Sequence, residues 1–541
     1  MTKRTLAAGT SAAVAALLLA SSGGSHAIKE GGTFRVGMAQ GLFDSIDPAI
    51  GQLAGPQEIF HATCASLLNV PDSPLSATTG LRLIPEIAAD FPEVSRDGRT
   101  YTFAIRSGFR FSTGAPLGAR DVAASLNRVL NPKLNSPRAP DLLVVEGAAA
   151  VRDGRATTAS GVTVRRGTLI VRLTRRDAGF LLAIARLCVF PSTLPVADGE
   201  GVRAPVPSAG PYFISEYVAG EQLVLERNPH YGGRRPHHVN RFLVTLENDA
   251  VLLDRVERGE LDYAFVQNTV IGARAAELAR KYGRNKERFW IQPGAFLRMF
   301  VLNTSRPLFR DNVELRQAVN FAVDRAALQR ERGGSLAGTV TDQYLAPTQL
   351  GFRDERVYPL RGPDLTTARA LARGNKRGGK AVLYTSSSLP GPIAQAPIVR
   401  DTLKKIGLEV EIQAYPFPVL VQKLKTPGEP FDIGLIGWGF ADPDPVSHLK
   451  FMFDGRTITN APDFGNLSYF NSPSYNRLFD RAARLPAQER YRAYGELDAQ
   501  ISREAAPAIP YSYDNALTFV GARIGCVVVN PTLDLAAVCL K

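Results

Sequence analysis

Residues Gly294 to Arg325, reading GAFLRMFVLNTSRPLFRDNVELRQAVNFAVDR, constrain the fold more than any other stretch. Phe296 to Leu302 is apolar apart from Arg298 and carries Phe at 296 and 300, the composition of a buried strand. Asn303 to Arg310 is turn material. Asp311 followed by Glu314 has the spacing of a capping box, and Val313, Ala318, Val319, Ala322 and Val323 recur at helical intervals. A buried strand that feeds an amphipathic helix needs a further layer to cover it, so the segment predicts an α/β fold.

The pattern repeats on both sides. Lys380 to Tyr384, Leu408 to Ala414 and Phe431 to Trp438 read as strands, with a helix from Gln395 to Ile406 stopped by Gly407. Strands spaced by helices in this way predict a mostly parallel sheet. Ser474 to Leu485 and Pro486 to Glu504 read as helices. Earlier in the chain, Phe34, Val36 and Met38 alternate inward on a first strand, and Tyr101, Phe103 and Ile105 alternate after the turn Arg96-Asp97-Gly98. A helix from Asn248 to about Arg258, stopped by Gly259, leads into a strand from Leu261 to Val266. At 541 residues the chain exceeds a single hydrophobic core, so two or three domains are expected.

Lys3-Arg4, the apolar stretch Leu6 to Ala20 and Ser25-His26-Ala27 have the layout of a cleaved secretory signal, residues 1–27, and the apolar stretch is short for a membrane span. Cleavage lowers the formal charge by two, from +13 to +11, and the mature chain is expected to be exported, periplasmic and soluble. The basic residues are scattered. Their densest pairs, Arg165-Arg166, Arg175-Arg176 and Lys376-Arg377, sit beside turns rather than along a stripe, which argues against nucleic acid as a partner. Four cysteines in an exported chain favour disulfides. Cys526 and Cys539 flank a turn at Asn530-Pro531, so their local pairing is the simplest, leaving Cys64 with Cys188; four buried thiols are the alternative.

Several blocks carry a family resemblance. The run DGRTYTFAIRSGFRFSTGAPLGARDVAASLNRVL from Asp97, the Ile84-Pro85-Glu86-Ile87-Ala88 segment, VPSAGPYFISEYVAGEQLVLERNPHYGG from Val206 and the V-x-L-R-Q-A-V-N-F-A-V-D-R helix from Val313 resemble the extracellular solute-binding proteins of family 5. These are the peptide-, nickel- and opine-type receptors of ABC importers. The likeness runs from about residue 31 to about 520. It implies an α/β, two-lobe periplasmic-binding-protein fold (type II, cluster C) with an extra subdomain in lobe I. Lobe I would span 28–293 with the subdomain inserted at about 76–205, lobe II 294–514, and residues 515–541 would return to lobe I. Crossings near 290–297 and 510–518 would form the hinge. The aromatics of the Asp97 block would be core packing on the outside of lobe I, away from the ligand.

The resemblance also implies a ligand cleft. Ile436 to His448, IGWGFADPDPVSH, ends a strand in a Gly/Pro/Asp loop, the end of an open α/β sheet where ligands bind. It resembles the G-W…D-P segment of peptide-type members, in which a carboxylate four residues before the Pro pairs with a peptide's α-amino group. Here that position is Ala441, with Asp442 beside it, so the amine-binding acid is shifted or absent. The candidate ligand residues are Phe43, Arg298, Trp438, Phe440, Asp442 and Asp444. All but Phe43 have a second reading: Asp442 and Asp444 as turn caps before prolines, Trp438 and Phe440 as core, Arg298 as a structural ion pair. The implied function is capture of a small solute, a peptide or peptide-like compound, by hinge closure, and its delivery as a monomeric receptor to a membrane permease. A secreted hydrolase acting on peptides or sugars, and a stand-alone chaperone or sensor, are the competing classes. No HExxH, GxSxG, Walker A or GxGxxG motif occurs, so no enzyme activity is expected. His61, His230, His237, His238 and His448 share no ligand spacing, and neither a metal nor a cofactor is expected.

Overall fold

The computed structural model describes residues 29–73, 83–177, 179–196, 198–266, 268–439, 444–458, 465–529 and 532–541. The expected leader, the turn at Asn530-Pro531, and Phe440 and Asp442 lie outside them.

Two large sheets, each with its own core, define two lobes. In the first sheet the order is Tyr263–Phe265, Thr33–Ala39, Arg241–Glu247, Gln222–Arg227, Tyr212–Val218. Thr33–Ala39 runs parallel to both of its neighbours, with Val36 opposite Val244 on one side and Tyr263 on the other. Phe34, Val36 and Met38 are fully buried on one face. On the other face a Cβ at Gly37 would stand 2.5 Å from Leu252 and 2.6 Å from Leu261, so the glycine lets the helix Asp249–Glu257 lie against the strand. The core of this sheet is completed by residues from the far end of the chain: Val520, Ile524, Leu533, Leu535, Val538 and Leu540 pack with Phe34, Val36 and Phe242.

A separate four-stranded sheet, Glu93–Val94, Thr100–Ala104, Thr168–Arg172, Val162–Arg165, packs with the helix Ala119–Leu130 around its own core. Tyr101, Phe103, Phe109 and Phe111 are buried there, as core packing requires. Cys64–Cys188 ties the end of the helix Ala54–Thr63 to a segment whose neighbours Leu187 and Val189 belong to this core, and Cys526–Cys539 closes a short loop near the chain end.

The second large sheet has the order Gly338–Val340, Ala508–Phe519, Phe289–Leu302, Ile433–Gly439, Lys380–Ser386, Glu409–Tyr415. The last three strands are parallel, joined by the helices Pro390–Lys404 and Phe417–Lys425. The other pairings are antiparallel, so the sheet is mixed rather than mostly parallel. The reason is topological: Phe289–Leu302 and Ala508–Phe519 are two passages of the chain between the lobes, outward and back, and opposite directions impose antiparallel pairing. They pair from Phe289 opposite Phe519 to Val301 opposite Ala508, with irregularities between Pro293 and Phe296 and between Arg298 and Met299. At one end Phe289 and Phe519 pack with Leu252, Leu261 and Ile271. At the other, Phe300, Leu302 and Ile509 pack with Leu315, Leu383 and Leu403.

The helix after the outward strand begins one residue later than its capping-box spacing predicts. Asn312 is the N-cap of Val313–Ala322, and Asp311 sits just outside it at φ 49°. The Asn312 amide is used elsewhere, donating to the carbonyls of Leu308 and Asn375. The helical pattern also breaks at Val323; Asp324 caps a second helix, Arg325–Glu331, by accepting from the Ala327 amide. Arg325 is fully buried and donates to the Pro510 carbonyl and to the carbonyl and side chain of Asn320. Arg316, also buried, donates to the carbonyls of Ala505 and Phe309. Two guanidiniums therefore hold the start of the return strand by its backbone. Burial pushes Arg325 down to about 10.

Candidate functional site

Along the outward strand successive side chains face opposite sides. Leu297, Met299 and Val301 belong to one core, Phe300 and Leu302 to another. Phe296 and Arg298 are half-buried, with the Arg298 guanidinium 4.2 Å from the centre of the Phe296 ring. Opposite them in register stand Gly439 and Gly437. A Cβ at Gly437 would lie 2.1 Å from the Phe296 ring and 3.0 Å from Arg298, so the bare glycine makes the space these two side chains occupy.

Arg298 is anchored to the return strand. Its Nε and Nη2 donate to Asp514 Oδ2 at 2.9 and 2.7 Å, and Arg332 donates to the other oxygen, Oδ1. Asp514 is 2 % exposed. Two guanidiniums share one carboxylate, so the trio carries a net positive charge, with the side chains of Arg298 and Arg332 still 19 % and 11 % exposed. Such an arrangement holds a guanidinium in place and leaves it able to take a second anion.

Trp438 pairs with Leu297 in register, and so points to the opposite face of the sheet from Arg298. Its ring lies 4.8 Å from that of Phe451 and packs on the core of that face while remaining partly exposed. Asp444 caps the helix Pro445–Phe453 by accepting from the Val446 amide and pairs with Arg490 at 2.8 Å. Both roles fit a structural cap at the end of the Gly/Pro/Asp loop. Phe43 lies in the other lobe, half-buried against the first sheet's core with its ring 6.4 Å from Tyr217.

Sequence reasoning missed Asp514, Arg332 and Arg490. None belongs to a motif, and each meets its partner through distant chain segments. A signal was nonetheless present: a lone Arg on an otherwise apolar strand, and an Asp on the apolar stretch expected to pair beside it.

Behind the loop, Tyr344 is gripped at both ends of its backbone. Asp498, fully buried, accepts from the amides of Tyr344 and Leu345 and from the Gln343 side chain, and His448 contacts the Tyr344 carbonyl at 3.0 Å. Burial pushes Asp498 up to about 7 and His448 down to about 3, so the imidazole is neutral and donates Nε2–H to that carbonyl.

Residues 82–460 match the profile of the bacterial extracellular solute-binding proteins, family 5 Middle, more than half of the chain. The chain belongs to that family. It is 25% identical over 412 residues to the oligopeptide-binding protein OppA of Bacillus subtilis (strain 168), covering 72% of each chain. To heme-binding protein A of Haemophilus influenzae it is 24% identical over 474 residues, covering 81% of this chain and 80% of that one. Among solved structures, clavulanic acid biosynthesis oligopeptide binding protein 2 superposes with a TM-score of 0.83 at 25% identity, covering 95% of this chain and 96% of that chain. Among the described residues no helix is long and apolar enough to cross a membrane.

Proposed function

We propose that this protein captures a peptide or peptide-like solute between its lobes and hands it to the permease of an ABC importer. The observation that carries the reading is the pair of crossing strands, Phe289–Leu302 and Ala508–Phe519, which join two separately cored lobes in a chain of this family. A join of two paired strands bends more readily than a lobe interior. Ligand that touches both lobes then favours the closed form by its differential contacts. The oligopeptide-binding relatives favour a peptide over other solutes. In this reading residues 1–27 are a cleaved leader, lobe I is 28–293 with the subdomain at about 76–205, lobe II is 294–514, and 515–541 returns to lobe I. The mature protein works in the periplasm as a monomer and turns over no substrate.

The shared charge of Arg298 and Arg332 is a docking point for a ligand carboxylate. Phe43 offers apolar contact from lobe I; Trp438, which faces away from Arg298, offers it only to a ligand that spans the end of its strand, and Phe440 and Asp442 belong to the loop that follows. Because Ala441 stands where peptide-type members carry the amine-binding acid, the ligand's amine is either blocked or met by Asp442. Mass spectrometry of solute released from the purified protein, followed by thermal-shift measurements with tri-alanine and its N-acetyl form, tests this. A raised melting temperature with either peptide supports the reading. No shift with any released solute, or hydrolysis of the peptides, overturns it.

A further inference from the structure

A cluster of ligating side chains lies in lobe I, away from the crossing strands. Glu58 and His61 are three apart on the helix Ala54–Thr63 and so share one of its faces. His61 Nε2 lies 3.2 Å from Asp72 Oδ1 and 3.4 Å from Asp534 Oδ2, and the three ligand atoms all fall within 4.8 Å of one another. Asp534 is brought here by the returning C-terminal segment, where its other oxygen accepts from the Ala536 amide.

Two features distinguish this cluster from an ordinary ion-pair network. A single imidazole nitrogen carries at most one hydrogen, yet Nε2 faces two carboxylates at similar distances. In addition, Asp534 Oδ2 and both oxygens of Glu58 are buried with no hydrogen bond of normal geometry, although the hydroxyls of Tyr263 and Thr532 face Glu58. Glu58 is 7% exposed. Arg235 donates to both oxygens of Asp72 and to the His61 carbonyl, and lies 4.0 Å from Glu86. It holds Asp72 from behind, as an outer partner orients a metal ligand.

From this we infer that His61, Asp72 and Asp534, with Glu58 beside them, form a structural site for a divalent transition-metal ion, which clamps the C-terminal segment to the helix Ala54–Thr63. Ligand atoms about 2.0–2.2 Å from a tetrahedral zinc stand about 3.3–3.6 Å apart; the two distances from His61 Nε2, 3.2 and 3.4 Å, lie close to such edges. One imidazole with carboxylates suits zinc rather than a soft-metal site.

The test uses the mature full-length protein, stripped with a chelator and then titrated with Zn2+. Expected are one zinc per chain by elemental analysis at micromolar free metal, and a melting temperature raised by several degrees. Asp534→Asn and His61→Gln each abolish both effects, whereas the double variant His237→Gln/His238→Gln, altered at histidines outside the cluster, retains them. X-ray absorption of the wild-type zinc form, needing no variant, shows one imidazole and oxygen ligands. Failure to bind zinc, an unchanged melting temperature, or full binding by the His61→Gln protein overturns the site.

Discussion

Asp514 on the return strand holds Arg298 on the outward strand by two hydrogen bonds, 2.9 and 2.7 Å, while giving its other oxygen to Arg332. The carboxylate both ties the two passages together and leaves one guanidinium charge uncompensated. Arg298→Met neutralises the trio and removes the candidate anion site. Affinity for the released peptide with a free C-terminus is expected to fall about tenfold, about 1.4 kcal/mol, with its C-terminal amide unaffected. Titration calorimetry on both forms decides it; equal losses would argue that Arg298 acts only as a strut.

Gly294 sits at the irregularity in the outward strand, and a Cβ there would lie 2.3 Å from the Asp514 carbonyl oxygen and 3.0 Å from the Ala516 amide nitrogen. Both are backbone atoms, so neither can turn aside. Gly294→Val is expected to cost about 1–3 kcal/mol by overpacking and to separate the crossing strands. Urea unfolding reads the first effect, and small-angle scattering with and without ligand reads the second. Wild-type stability and closure in the variant would show that the strands already have slack there.

The grip on Tyr344 predicts two opposing pH dependences. The folded-state value of His448 is lowered to about 3, so the unfolded chain takes up the proton first and stability falls as pH drops below the ordinary histidine value. By pH 5 the loss is about 2 kcal/mol. Asp498 is raised to about 7, so its contribution is full below the ordinary carboxylate value and is lost as pH rises through about 7. Between pH 7 and pH 5 the two offset each other. In His448→Asn, stability should rise by about 2 kcal/mol on acidification from pH 7 to pH 5, and in Asp498→Asn it should fall by about as much. Denaturant midpoints at the two pH values give the slopes, and parallel slopes in both variants would rule out the pairing.

The disulfide Cys526–Cys539 closes a loop of 13 residues. Loop-closure entropy assigns it about 3 kcal/mol. The Cys526→Ser/Cys539→Ser variant should lose roughly that much in urea unfolding, with weaker docking of the C-terminal segment seen as faster amide exchange near Leu535 and Val538. An unchanged midpoint would place the stabilisation of that segment elsewhere.

The strands and helices were legible where apolar spacing alone decided them, as at Phe34-Val36-Met38 or Val313 to Ala322. Where a side chain works at a distance, the local pattern was silent or misleading. Asp311 and Glu314 have the spacing of a cap, but Asn312 takes the position because its amide also bonds the Leu308 and Asn375 carbonyls. Nothing in the local pattern marks Arg325 as the buried anchor of the Pro510 carbonyl that it is. The candidate site was legible in Arg298 and Trp438 as residues, but not in their opposite facing, which follows from strand register. His61 seemed an isolated histidine because Asp72 and Asp534 reach it only through the folded chain.

Val520 bridges Tyr263, Leu540 bridges Lys29, and Ile524, Leu533 and Val538 fill the core beneath the first strand. The lobe begun first is thus finished last. The six strands of the other sheet all lie between residues 289 and 519, so that half can consolidate while its partner still waits for its closing residues. A chain emerging from its amino end therefore keeps its leading half unsealed until synthesis has reached the end of the structure.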